Sequence, residues 1–414
     1  MSIARSLGML SLSFFAAACA VPVAGAATLT VLDHAPQFGI YGGGLPPNYV
    51  PPPGQLALLD DAGDTWYTLV KLSSAQKRQL GQTLNAKLTY YGGCDAFDRI
   101  EALAYIAMPV GVTPTANDLD LAVEMTRFIS PFNTYDSPSP TYVSPYMSIS
   151  RFAPYLASRT QDIWIGIKGG SNPTYANSPG TYNPCWDSSG QMVPTIPTAP
   201  YPPGLPTHDA QVIYANTGFY YSLDLISSRP AVVPAARQAV PAILLPVVVD
   251  GGSRYLPGAI DVPDPGNGSA TVTGTVQVVV TTHGNTEYGF HTGNTLEING
   301  AQVGAAFSTQ ADCDSFATST INPWNPGINR NTTGGNPRNP RNWCPAGPVR
   351  TTEANPGRPN PTPARPGTPI QSLAFENVTL NVGVNDLKLR FGDFVTRFGS
   401  EDGIYVATVT FIPN

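Results

Sequence analysis

Charge is scarce in this chain. Only 12% of its 414 residues are Asp, Glu, Lys or Arg, and 28 acidic residues against 22 basic ones leave a net charge of -6. Without a basic excess there is no electrostatic footprint for nucleic acid. Helical periodicity is scarce too: Ser73–Gln82 (SSAQKRQLGQ), with Ser73 or Ser74 as cap, is the best short helical candidate. Past the N-terminal region no apolar run is long enough to span a bilayer, since Ala239–Val249 is short and holds two prolines. All six methionines lie at or before Met192. Little charge does not mean disorder, because 42% hydrophobic residues are enough to bury real cores.

Turn formers are plentiful. Forty glycines and 43 prolines, with many Thr and Asn, suit short strands joined by turns. Leu84–Tyr91, Ile100–Met108, Leu119–Phe128, Asp162–Lys168 and Gly218–Leu225 read as strands of a first domain. Val276–Thr282, Thr286–Ile298, Ser372–Val382, Asp386–Phe391 and Gly403–Phe411 read as strands of a second. The length exceeds one hydrophobic core, and no helices alternate with the strands. The expected fold is all-β: two consecutive antiparallel, jelly-roll-like β-sandwich domains with long Pro/Asn/Gly-rich loops at Ser171–Pro206 and Asn322–Thr368. The Pro/Ala text between Ser227 and Ala242 marks the boundary, giving domains at 27–229 and 230–414.

Residues 1–26 read as an export signal: Arg5, an apolar run from Leu7 to about Val23, and Ala24-Gly25-Ala26 before the cut. Lipid attachment at Cys19 is the alternative. Either way the product is exported, periplasmic or secreted. Cleavage leaves Cys94, Cys185, Cys313 and Cys344, an even number for an oxidising compartment. Three pairings are possible, and proximity in sequence favours Cys313–Cys344 and Cys94–Cys185.

Three clusters carry candidate chemistry. In Cys94–Arg99 (CDAFDR), Asp98 sits at a strand mouth beside a cation and close to a cysteine. A carboxylate held there can take a proton from water or protonate a leaving group. In Thr281–His291 (TTHGNTEYGFH), Glu287 is a second acid and Tyr288 an adjoining aromatic able to stack on a sugar. The even spacing of His283, Glu287 and His291 invites a metal reading. His283-Gly284-Asn285 reads as a turn that breaks it, so no metal or cofactor is expected. In Arg338–Pro345 (RNPRNWCP), Trp343 offers a flat apolar platform while Arg338 and Arg341 offer planar donors.

In this order, the clusters resemble the bacterial peptide-N-glycosidase F family. The family's C-D-E-W-D-R is matched by Cys94–Arg99, its R-F-I-T-P-Y by Arg127–Phe132 (RFISPF), and its A-E-W-C-F-R by Thr286–His291 (TEYGFH). Its R-A-G-W-C-P-G is matched by Arg341–Gly347 (RNWCPAG), with Cys313 upstream. The resemblance implies an amidase that hydrolyses the asparagine side-chain amide to N-acetylglucosamine, releasing N-linked glycans and leaving aspartate. Asp98 becomes the main catalytic acid and Glu287 the second. Arg99, Tyr288, Trp343 and Arg341 (with one residue gapped) become substrate-binding groups. The implied partners are N-glycosylated proteins or glycopeptides, met by a monomer without nucleic acid or membrane span. The chain departs from the pattern in three places. Asn285 and Gly289 stand where the family has cysteines, and the family's cysteine just upstream of the first motif is missing. The strand that in the family bears a third acid reads DIWIGIKG over Asp162–Gly169, with Lys168 in the region of that acid. That gap makes a non-catalytic carbohydrate binder the alternative. A copper monooxygenase on a similar sandwich pair is less well supported, because the second half has no methionine to ligate copper.

Overall fold

The computed structural model describes residues 27–38, 49–60, 66–92, 99–129, 141–143, 146–169, 217–228, 231–249, 254–284, 289–307, 373–396 and 403–414. The export segment and both long loops lie outside these residues. In chain order the first strands are β1 (Ala27–Phe38), β2 (Gln55–Leu59), β3 (Trp66–Lys71), β4 (Leu84–Gly92), β5 (Ile100–Pro109), β6 (Val123–Ile129), β7 (Thr141–Val143), β8 (Met147–Ser148), β9 (Gln161–Gly169) and β10 (Thr217–Ser227). They form two sheets: β1-β10-β4-β7, with β8 also on β4, and β2-β3-β9-β5-β6. The later strands are β11 (Val240–Val249), β12 (Tyr255–Val262), β13 (Thr271–Gly284), β14 (Gly289–Thr292), β15 (Asn294–Ile298), β16 (Ala301–Phe307), β17 (Leu373–Asn381), β18 (Gly383–Arg390), β19 (Asp393–Thr396) and β20 (Gly403–Pro413). They form the sheets β11-β20-β13-β17 and β12-β18-β15-β16 and a small ribbon β14-β19. The pairings among the described strands are antiparallel.

The two-residue period of a strand explains how the sheets meet. Leu103 and Tyr105 of β5, with Ile163, Ile165 and Ile167 of β9, face Leu88 and Tyr90 of β4 and Leu223 and Leu225 of β10 in one core. Val276 and Val278 of β13, with Val409 and Phe411 of β20, face Leu296 of β15 and Leu387 and Leu389 of β18 in another. Each fully buried aliphatic side chain in these layers contributes about 1.5–3 kcal/mol.

Several local expectations shift. The helix is α1 (Ser74–Lys77), one turn only, started by a capping box between Ser73 and Gln76. It ends early because Leu80 and Leu84 are both drawn into the core and Gly81 bridges to Ala231. The strand expected from Leu119 begins at Val123, after a 3-10 turn over Ala116–Leu121 in which Asp118 accepts from the Thr115 amide and hydroxyl. The strand expected over Thr286–Ile298 divides at Gly293, whose φ of 71° suits glycine. The proline-bearing Ala239–Val249 run is largely β11. It tolerates Pro241 and Pro246 because it is an edge strand with a register shift between Leu244 and Val247.

Candidate functional site

Of the residues singled out in the sequence, Arg99 is described: half-buried, directly before β5. Asp98, Glu287, Tyr288, Arg341, Trp343, Cys94, Cys185, Cys313 and Cys344 lie outside the described residues. What the structure gives is the frame around them. β13 stops at Gly284, and β14 resumes at Gly289 in a different ribbon, paired to β19. His283 and His291 therefore share no strand, and strand parity cannot put them on one face. Among the described residues no group of three or more His, Cys, Asp or Glu is placed to hold a metal.

The two halves meet along a seam between β6 and β20. Residues three apart on a regular strand point to opposite faces, yet Glu124 and Arg127 point the same way. The cause is a bulge: Leu103 of β5 pairs with Thr126 while Ala104 pairs with Glu124, so Met125 is the extra residue. Val123, Met125 and Phe128 still enter the core, and the two charged side chains project from the outer face as a fork. Arg127 Nε and Nη2 donate to Glu124 Oε1 and Oε2, each at 2.7 Å. Arg127 Nη1 donates to the Val406 carbonyl at 2.7 Å, and the Thr408 hydroxyl donates to Glu124 Oε2 at 3.1 Å. Both charged side chains are 3% exposed, so this is a fully desolvated ion pair that also clasps the second half. Burial pushes the Glu124 pKa up. The charge and hydrogen bonds of Arg127, then Lys168 and Thr408, outweigh that and hold it below its ordinary 4.5.

A carboxyl whose folded pKa is depressed contributes stability that is complete above its unfolded value. That contribution is lost as pH falls through the lower folded value. Glu124 should therefore strengthen the fold above about pH 4.5. Glu124→Gln is expected to lower the denaturation midpoint at neutral pH and to flatten its dependence as pH falls below about 4.5. Parallel curves for the two proteins would show that the pair carries no such linkage.

The seam also fixes a common end. β6 contacts β20 with Glu124 against Thr408 and Arg127 against Val406, so the Ile129 end of β6 lies beside the Gly403 end of β20. Ile129 pairs with Ile100, where the chain enters β5 from Arg99, and Gly403 pairs with Gly284, where the chain leaves β13. The flanking strand ends of segments 93–98 and 285–288 thus lie at one end of the molecule, on either side of the seam.

Beneath Arg99 lies a buried polar cluster not anticipated from sequence. Glu101 is 1% exposed and points between the sheets, where its Oε2 accepts from the Tyr221 hydroxyl on β10. Gln37 Nε2 donates to the carbonyls of Trp66 and Gly169, and the Thr68 hydroxyl donates to the Pro36 carbonyl. These bonds tie the two sheets together next to the point where residue 99 enters β5. A Cβ on Gly169 would come within 2.5 Å of Glu101 Cγ. Gly169→Ala is therefore expected to displace Glu101 and to cost about 1–3 kcal/mol by denaturant titration. A neutral result would mean that Glu101 has room to move.

On the outer face, Tyr67, Lys168, Ala102 and Arg127 form one row across β3, β9, β5 and β6. Lys168 Nζ lies 5.6 Å from the centre of the Tyr67 ring. Burial, first, and Arg127 lower the Lys168 pKa against the opposing pull of Glu124, Asp60 and Asp120. Burial, then Asp60, Glu124 and Asp120, raise that of Tyr67. In this row the sequence pointed to Lys168 and, through the matched RFISPF segment, to Arg127. Glu124 was not, because simple alternation would separate it from Arg127 and nothing local announces a bulge.

A cavity of about 590 Å³ opens at the other end. Tyr105, Pro109, Gln161, Arg237 and Asp261 are among its lining residues. Pro109 ends β5 and Gln161 begins β9, so the cavity is remote from Arg99 and holds none of the predicted site residues.

No protein-family model matches the chain, and no curated protein does. Among solved structures it is similar to PNGF-II, with 15% identity and a TM-score of 0.47, over 93% of this chain and 64% of that one. It thus spans less than two thirds of the PNGF-II chain. It is also similar to a peptide-N(4)-(N-acetyl-β-D-glucosaminyl)asparagine amidase, with 12% identity and a TM-score of 0.44, over 94% of this chain and 96% of that one. PNGase F, a glycosylasparaginase from Flavobacterium meningosepticum, is similar at 11% identity and a TM-score of 0.44, with the same coverages.

Proposed function

We propose that the chain is an amidohydrolase that removes N-linked glycans from glycoproteins or glycopeptides by hydrolysing the asparagine side-chain amide. One observation carries this reading. The strand ends flanking Asp98 and Glu287 lie at the same end, across a seam locked by Arg127 and Glu124. Two acids acting on one bond, one from each half of the chain, suit a reaction that needs two jobs done. In the proposed mechanism Asp98 accepts a proton from water as the water oxygen bonds to the amide carbon. The carbon–nitrogen bond then breaks, and the proton passes to the departing nitrogen, giving a glycosylamine and an aspartate side chain. An amide nitrogen leaves poorly unless protonated, so a positioned acid–base group contributes about 10²–10⁴ in rate. Glu287 holds the first N-acetylglucosamine, Tyr288 and Trp343 stack on sugars, and Arg99 and Arg341 take amide or hydroxyl oxygens. No step calls on a metal.

The second reading, a carbohydrate binder without catalysis, is favoured by one feature: a lysine stands on the strand where the resemblance expects a third acid. Incubation of the mature protein with a labelled N-glycopeptide separates the two. The amidase converts asparagine to aspartate with the corresponding mass change, and one oxygen comes from labelled water. A retained glycopeptide of unchanged mass contradicts the amidase and favours the binder. Full turnover in the presence of a chelator is expected; loss restored by a single metal would overturn the metal-free mechanism.

A further inference from the structure

We propose that Lys168 is a substrate-binding cation that donates a hydrogen bond to a carbonyl oxygen of the glycopeptide. The proposal rests on the amidase reading for the identity of the ligand, and on the following geometry for the site.

Lys168 is the penultimate residue of β9, opposite Ala102 of β5 and Tyr67 of β3. Ala102 is three residues from Arg99, about 10 Å along an extended strand. Lys168 therefore stands at the end of the sheet where the chain enters β5, on the outer face that carries Arg127 and Glu124. Its surroundings leave a charge uncommitted. Glu124 is engaged by both prongs of Arg127 and by the Thr408 hydroxyl. Lys168 itself is half-buried, and among the described residues its ammonium has the Tyr67 ring but no hydrogen-bond acceptor or ion-pair partner.

A half-desolvated ammonium without an acceptor is costly, and an incoming oxygen would relieve that cost. An ammonium only donates, so the ligand must supply an acceptor. The charged and titratable groups facing it are Glu124, Arg127, Asp60, Asp120 and Tyr67, and burial, the largest influence, lowers its pKa from the ordinary 10.5. An acceptor oxygen from substrate stabilises the ammonium and opposes that lowering. In an N-linked glycopeptide the acceptors of this class are the N-acetyl carbonyl of the innermost sugar and the carbonyls of the peptide.

The test uses the full mature chain carrying Asp98→Asn, so that ligand is held and not consumed. Pulse acetylation across a pH series, read by mass spectrometry, compares Lys168 with Lys71, Lys77, Lys87 and Lys388 in the same molecule. Without ligand, Lys168 should begin to react at lower pH than the exposed Lys71. A saturating N-acetylglucosaminyl-asparagine peptide should slow acetylation of Lys168 by about tenfold or more while leaving Lys87 and Lys388 unchanged. If the glucosyl analogue, which lacks the acetamido group, protects equally, the acceptor lies in the peptide. Protection by the N-acetyl compound alone places it in the sugar. Either pattern supports the proposal. In otherwise wild-type protein, Lys168→Met should lower kcat/KM by about tenfold to a hundredfold with Lys168→Arg restoring part of it, a graded rescue that a packing role would not give. Labelling of Lys168 that is indifferent to bound glycopeptide, or no binding at all, overturns the proposal. Glycan release by a protein whose Lys168 stays unprotected rejects this inference alone and leaves the amidase standing.

Discussion

Asp98→Asn should lower kcat/KM for release of glycan from a denatured N-glycoprotein by about 10²–10⁴, the range expected when a positioned acid–base group is removed. The two side chains have nearly the same shape, so the cleft is kept and only the proton acceptor is lost. Binding of a glycopeptide should change little, and the denaturation midpoint should not move. Those two controls separate a chemical effect from a folding defect. Equal deglycosylation by the variant and the parent protein would remove Asp98 from the mechanism. Glu287→Gln should behave differently. If Glu287 grips the first sugar, its loss weakens binding as well as rate, and KM rises while kcat falls.

The second large effect concerns Arg127. Arg127→Met should cost about 3–5 kcal/mol, because it strands Glu124 as an uncompensated buried charge. The variant should also lose the donor that clasps the Val406 carbonyl. Its consequences should therefore reach glycan release as well as stability, since the seam aligns the two halves of the proposed cleft. Replacing both partners, as in Arg127→Met with Glu124→Leu, should recover much of the stability, because neither charge then needs solvation. Recovery of stability without recovery of activity would show that the fork positions the cleft. Full recovery of both would reduce it to one replaceable contact among many. Chemical denaturation and steady-state kinetics on the three proteins decide the matter.

Much of the frame was legible in the sequence because strand alternation is written in it. The β4 and β10 segments alternate apolar and polar residues, β5 and β9 are near-continuous apolar runs, and the ends of each stand within a residue or two of those expected. β11 was not legible, because Pro241 and Pro246 argue against a strand, and only its edge position and register shift make them tolerable. β6 was found but its faces were not: the bulge at Met125 resets the alternation and creates the Glu124–Arg127 fork. Glu101 escaped notice for a similar reason. A glutamate at the start of a strand reads as exposed, and its burial depends on Tyr221, 120 positions further along the chain. The acids Asp98 and Glu287 stood out through their surrounding motifs. No periodicity tells where such residues meet, since that depends on how two sandwiches are docked.

The docking is therefore what most needs measuring. A crystal structure of the Asp98→Asn protein with an N-acetylglucosaminyl-asparagine peptide should show the sugar–amide junction held at hydrogen-bond range, about 2.6–3.2 Å, by the side chain at position 98 on one side and Glu287 on the other. A junction bound with either residue turned to a separate face, or sealed away from solvent, would contradict the account.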